Sequence, residues 1–323
     1  MSSDLHVIFG TGPVGCWTAA ALRAEGQRVR AVNRSGVRPD LMPADVELVK
    51  ADASDPAQAS QAARRAQVVY QALNPPYHRW SELFPGLQAA VMGAAKAENA
   101  KYVSVENLYM YDASKPMTED SPTAPASKKG ALRQKMAEEV MAAHARKELQ
   151  AVSLRSSDYY GPGVVGSALG ELVFGNLLAG KKAQLAGSAR VPHSFAYIED
   201  VGRAAALLGM NDRALGKTWI IPHAPARTQG EMVEEIGRVL GSAARFSVVS
   251  PLMMRLAGLF IPSARASVEM LYEFTAPFVV SSTRMEREFN LAATSIERGI
   301  ERTVSWYRQR QAGRSTGVDI VRD

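Results

Sequence analysis

The chain has one cysteine, Cys16, among 323 residues. A single thiol excludes an intrachain disulfide and any cysteine-rich metal centre. The five histidines show no ligand spacing with acids or with a second cysteine, so no metal is expected. No Lys/Arg block with interleaved aromatics interrupts the scattered basic residues. Nucleic acid is therefore not an expected partner, and the net charge of +6 suits attraction of a small anion instead. No apolar run is long enough to span a bilayer, so no membrane insertion is expected. The longest candidate, residues 251–262, is bounded by prolines and broken by Arg255. It reads as a core or lid helix of a smaller lobe, with contact to a membrane surface as the alternative. Residues 1–6 are too few and too polar for a signal peptide, and a cytoplasmic chain is expected.

What is present is ordinary in bulk and specific in detail. Hydrophobic content of 46% and charged content of 22% are those of a globular protein. The length allows one large α/β domain, or one domain plus a smaller lobe. Residues 7–15 read Val-Ile-Phe-Gly-Thr-Gly-Pro-Val-Gly, an apolar strand running into G-x-G-x-x-G, with helical composition after it. A strand that turns sharply into a helix presents free backbone N–H groups to a pyrophosphate. Gly10, Thr11, Gly12, Pro13, Val14 and Gly15 are accordingly the expected dinucleotide-binding turn. Cys16, in the first turn of that helix, reads as a buried small residue or as an activated thiol.

The second strand, 27–32, selects the cofactor. An NAD site usually has an acid about 20 residues beyond the glycines, on the ribose 2′-OH. Here Asn33 and Arg34 stand there. An acid would repel a 2′-phosphate, whereas a guanidinium pairs with it. NADP(H) is therefore expected, with NAD(H) as the alternative and Arg38 as a second phosphate ligand. Strand and helix patterns then alternate: strands at 46–50, 68–73, 102–105 and 151–155, and helices at 55–65, 83–98 and 131–147. Such alternation predicts an α/β fold, a Rossmann-type doubly wound parallel sheet. The expected division is a dinucleotide-binding domain of 1–160 and about 195–222, and a smaller, mainly helical substrate lobe of about 161–194 and 223–312. Residues 313–323 read as a flexible tail.

In order along the chain come the glycine motif, Asp52, Val68–Asn74, Met117-Thr118-Glu119-Asp120-Ser121-Pro122, Arg155-Ser-Ser-Asp-Tyr-Tyr-Gly-Pro162 and Phe195-Ala-Tyr-Ile-Glu-Asp-Val201. This series resembles the extended short-chain dehydrogenase/reductase superfamily, in its NAD(P)-dependent epimerase/dehydratase-like branch, from Val7 to about Tyr307. The resemblance places Asp52 at the adenine edge and puts Leu73 and Asn74 beneath the cofactor ribose. Glu199 and Asp200 read as acids capping a helix start.

The catalytic positions depart from the family pattern. That pattern is a Ser or Thr after the fifth strand and Tyr-x-x-x-Lys on the next helix, in which tyrosinate moves the proton. Counting back from Tyr111-Asp112 puts Asn107 at the Ser/Thr position, and the helix contains no tyrosine. One register places Lys129 at the Tyr and Arg133 at the Lys. A shift by two places Ala131 and Lys135 there. The first retains Gly130 and is preferred. Candidate catalytic groups are thus Lys129, Tyr109, Asn107 and Arg133, with Tyr109 sharing a face with Asn107 if the strand continues. Tyr77 and His78 leave the fourth strand's C-terminal end, where ligands of such sheets bind. With Tyr159 and His193 they are the expected substrate-binding residues. With the NADP reading, the resemblance implies either an NADP-dependent oxidoreductase or epimerase, or a catalytically silent NADP-binding sensor; the smaller lobe, rich in Leu, Met, Phe and Ala, makes a small, apolar or aromatic substrate the expectation. A homodimer is an open assembly.

Overall fold

The computed structural model describes residues 4–313 apart from 258 and 261. Its first strand, β1 (Leu5–Phe9), is buried along its whole length, as a central strand covered on both faces must be. Helix α1 follows at Pro13–Ala24, then β2 (Arg28–Asn33), β3 (Glu47–Lys50), α2 (Pro56–Ala63), β4 (Val68–Gln71), α3 (Trp80–Ala97), β5 (Lys101–Asn107), α4 (Lys128–Ala145) and β6 (Gln150–Ser156). A last strand, Thr218–Ile220, completes a seven-stranded sheet. Its order is Thr218–Ile220, β6, β5, β4, β1, β2, β3, and every pairing is parallel. The chain winds outward from β1 to β3, then returns to β1's other side as β4. The crevice where the order reverses is where such sheets bind ligands.

Alternate residues of β1 feed opposite layers. Ile8 packs with Leu22 of α1 and with Ala204 and Leu208 of the helix Ile198–Gly209. Val7 and Phe9 pack with Ala59, Val91 and Val140 of α2, α3 and α4. Beyond the sheet, the helices Gln229–Leu240 and Ile296–Gln311 pack into the first of these layers through Ile236, Ile300 and Val304. This C-terminal part also contains short strand pairs, Ala183–Ala186 with Phe246–Val249 and Pro192–His193 with Arg227–Thr228.

Four expectations change. Helix α3 begins three residues before 83, because Trp80 is already anchored: it is buried, stacks edge-on with Phe84 and donates its indole N–H to the Pro75 carbonyl at 3.0 Å. Helix α4 begins at Lys128 rather than 131, because the Ser127 hydroxyl accepts the Gly130 N–H at 3.0 Å as an N-cap. Glu199 and Asp200 do lie in the first turn of the helix Ile198–Gly209, but no side chain caps its start. Glu199 takes Arg302 Nε at 2.8 Å, and Asp200 takes the Thr294 N–H at 2.7 Å, so both clip the C-terminal segment to the sheet domain. The apolar stretch 251–262 is not core. Leu252, Met253, Leu256, Leu259 and Phe260 are all exposed, while residues 258 and 261 lie outside the described ones. Residues 314–323 of the expected tail also lie outside the described residues. No helix among the described residues is long and apolar enough to cross a membrane.

Candidate functional site

The turn from β1 to α1 is shaped by three glycines in three ways. Gly10 has φ +107°, and a Cβ there would sit 2.5 Å from the Ala72 carbonyl oxygen. A Cβ on Gly15 would meet the Gly10 carbonyl oxygen at 2.0 Å. At Gly12 a Cβ would meet nothing within 4 Å, so this position faces open space. Gly12 is the N-cap of α1, with no side-chain cap and no acid in the first turn. The first amides of α1 are therefore left to an anion. Cys16 is buried, and burial pushes its thiol up to about 12, which removes the reading of an activated thiol.

At the end of β2 the residues divide their tasks. Asn33 is saturated: its Nδ2 donates to Thr11 Oγ1 and to the Val37 carbonyl, both at 2.9 Å, and its Oδ1 accepts the Gly36 N–H at 2.7 Å. It ties the 33–37 loop to the glycine turn, so it shapes the site rather than reading the ribose. Arg38 is also committed, to the carbonyls of Pro43 and Val46 at 2.8 and 2.7 Å, and is not the expected second phosphate ligand. Arg34 is exposed and carries no hydrogen bond among the described residues. It lies near enough to Asp52 to act on its charge. The Ser54 hydroxyl and N–H hold Asp52 Oδ1 at 2.7 and 2.9 Å and depress its pKa, so the carboxylate is ionised. Leu73 and Asn74 follow β4, directly across from the glycine turn.

The other half of the crevice collects groups from several elements. Strand β5 ends at Asn107, whose Oδ1 accepts the Tyr109 N–H at 3.3 Å and turns the chain. Tyr109 is thus placed by this turn and not by strand alternation. Its hydroxyl receives the Tyr77 O–H at 3.2 Å and points its own toward Asp158 Oδ1 at 3.5 Å. Its ring stacks on Trp80, beside Phe84 and Met136. Burial raises the Tyr109 and Tyr77 pKa values, so both are neutral hydroxyls. Tyr159 accepts the Ser156 hydroxyl proton at 3.1 Å and completes this wall. His193 is fully buried between Phe195, Phe274 and Phe278, with Nε2 3.1 Å from Asp158 Oδ2. His78 is exposed and stands apart from this group.

Lys129 and Arg133 share the buried face of α4, while Ala131 and Lys135 are exposed, which favours the first register. Their side chains do something other than expected. Lys129 Nζ donates to Glu269 Oε1 at 2.5 Å and to the Ala266 carbonyl at 2.8 Å, above the Tyr77 ring. Glu269 also accepts the Lys128 N–H at 2.8 Å. A buried ammonium needs a counter-ion. Here the counter-ion comes from the C-terminal lobe, so Lys129 acts as a latch and not as a free acid. Arg133 lies over Phe84 and donates to the Val105 carbonyl at 3.2 Å, although its Nε has no partner.

Asp158, Glu273 and His223 were not foreseen as site residues. Asp158 stands in the Arg155–Pro162 segment, where an acid follows two serines at the end of β6. His223, pushed down to about 4 by burial, accepts the Ser157 N–H at 3.3 Å and fixes the turn that presents Asp158. Glu273 carries no local signal.

A family model described as NAD dependent epimerase/dehydratase family matches residues 7–221. No curated protein matches the chain in sequence. Among solved structures, the chain is similar to UDP-glucuronic acid 4-epimerase from Bacillus cereus, in complex with UDP-glucuronic acid and NAD. The TM-score is 0.75 at 16% identity, over 95% of this chain and 99% of that one. It is also similar to dTDP-glucose 4,6-dehydratase from Bacillus anthracis in complex with NAD, with TM-score 0.78 and 17% identity over 97% and 99%. UDP-glucose 4-epimerase from Thermotoga maritima, with UDP-glucose, gives 0.78 at 13% identity over 95% and 99%.

Proposed function

The chain belongs to the NAD-dependent epimerase/dehydratase family, and from that premise we propose that it transfers hydride between NADP(H) and a small apolar or aromatic carbonyl or alcohol, as an oxidoreductase or epimerase. The supporting observation is the hydrogen-bonded chain from the Tyr77 hydroxyl through the Tyr109 hydroxyl to the Asp158 carboxylate, gathered beyond the C-terminal ends of β4, β5 and β6. The bound nicotinamide supplies or accepts the hydride. The protein's residues do the rest. The amides at the start of α1 hold the pyrophosphate, Arg34 holds the 2′-phosphate, and Asp52 stands at the adenine. Tyr109, a neutral hydroxyl, gives its proton to the substrate oxygen in reduction and lies within reach of Asp158 to be resupplied. Trp80, Phe84 and Met136 form a buried apolar cluster behind Tyr77 and Tyr109, and an apolar setting suits an aromatic or aliphatic substrate better than a sugar nucleotide.

NADPH consumption measured across a panel of aromatic and aliphatic aldehydes and ketones tests this reading, and turnover with any of them supports it. A second reading, a silent NADP-binding sensor, is favoured by Lys129 being latched to Glu269 at the position of the family's tyrosine. It predicts NADPH binding with no turnover on the whole panel. For the cofactor, Arg34→Ala is expected to weaken NADPH binding by roughly 1–3 kcal/mol, the range for hydrogen bonds to charged groups, and to leave NADH almost unchanged. NADH binding tighter than NADPH in the unmodified protein would sink the preference.

A further inference from the structure

Glu273, near the end of the 3₁₀ segment Val268–Phe274, is 1% exposed, and neither of its carboxylate oxygens receives a hydrogen bond from another group. Its side chain meets that of Asp158. Ionised carboxylates only accept, so this contact becomes a hydrogen bond when one member keeps its proton. The surroundings decide which one. Asp158 has His193 Nε2 3.1 Å from Oδ2 and the Tyr109 hydroxyl 3.5 Å from Oδ1, and its side chain is 19% exposed. His193 Nδ1 faces the Glu273 backbone carbonyl at 3.1 Å. The other titratable groups around Glu273 are hydroxyls, those of Tyr77, Tyr109 and Tyr272. Burial and then the charge of Asp158 push the Glu273 carboxyl far up. For Asp158 burial acts upward too, but hydrogen bonding and charge at His193 outweigh it and hold the pKa down.

We propose that Asp158 and Glu273 form a proton-sharing carboxyl pair serving this pocket, in which Asp158 exchanges the substrate proton through Tyr109 and Glu273 is the positioning residue that keeps the pair's permanent proton. The role in turnover rests on the hydride-transfer reading above; the shared proton does not. In oxidation the substrate O–H breaks and its proton joins the Tyr109 oxygen. The Tyr109 O–H breaks in turn, and its proton joins Asp158 Oδ1. The substrate C–H pair leaves as hydride to the oxidised nicotinamide cofactor while C=O forms. The pair passes from one proton to two, and reduction reverses every step.

Glu273→Gln keeps the shape and removes the titration. Infrared spectra of the protein without cofactor should show a protonated-carboxyl band at pH 7 that is absent in Glu273→Gln and kept, at a shifted frequency, in Asp158→Asn. No such band in the unmodified protein overturns the shared proton. Stability gives an independent reading. A carboxyl whose pKa is raised on folding contributes fully below its ordinary value of 4.5 and loses that contribution as pH rises toward the folded value. Unfolding free energy of the unmodified protein should therefore fall relative to Glu273→Gln as pH rises above 4.5, and a rise would overturn the pair. In turnover, Glu273→Gln should move the alkaline limb of kcat by at least about one pH unit, with KM within a few-fold. An unmoved limb overturns the role in turnover. A wild-type enzyme silent on the whole panel overturns the hydride-transfer reading and that role together, while the band still decides the shared proton. If Glu273→Gln fails to fold, the band and its shift in Asp158→Asn decide alone.

Discussion

Gly12→Val is expected to abolish dinucleotide binding and leave the fold intact. The loss comes from geometry. A branched side chain at the N-cap of α1 fills the space in which a pyrophosphate would approach the first-turn amides. Losing two charge-assisted hydrogen bonds at about 1.5–3 kcal/mol each lowers affinity by about two to four orders of magnitude. The fold survives because Gly12 has ordinary dihedrals, φ −71° and ψ −176°, and a Cβ meets nothing there. Gly10 and Gly15 offer no such separation, since a side chain at either would strike backbone. NADPH titration beside circular dichroism and thermal unfolding checks the prediction, and retained affinity in a folded Gly12→Val protein would refute the placement.

Tyr109→Phe should lower turnover by about 10²–10⁴-fold, the usual share of a general acid–base group, and leave NADPH affinity within a few-fold. The phenylalanine ring keeps the stack on Trp80 and loses the oxygen that links Tyr77 to Asp158. Lys129→Met makes the informative comparison. Its Nζ is already spent on Glu269 and the Ala266 carbonyl, so its removal should cost less turnover than Tyr109→Phe. The reverse order, measured as kcat on the same substrate, would return the proton-donor role to Lys129. The exposed Lys135 should be replaceable with little effect.

Much of the turn from β1 to α1 was readable in the sequence, because its elements are contiguous. A buried strand, a G-x-G-x-x-G turn and a helix follow one another, so residues 7–23 specify the element order and leave the first amides of α1 without a side-chain cap. Asp55-Pro56 and Ser127 similarly announce the starts of α2 and α4 by capping chemistry. Asn33 and Arg38 were read as ligands by position alone. Whether a polar side chain is free depends on what its own loop asks of it, and these two are used up by the loop that follows β2.

By itself the sequence determined the alternation of strands and helices, the doubly wound parallel sheet and the glycine turn, since each is announced by periodicity and motif spacing within short stretches of chain. It also determined that α4 holds no tyrosine, because an absent residue is visible without a fold. Only the tertiary structure decided which side chains share the pocket. Glu273 reaches Asp158, and Glu269 reaches Lys129, from more than a hundred residues away. No local periodicity encodes such a pairing. It arises when the C-terminal segment folds back over the sheet and buries groups that must then find partners or keep their protons.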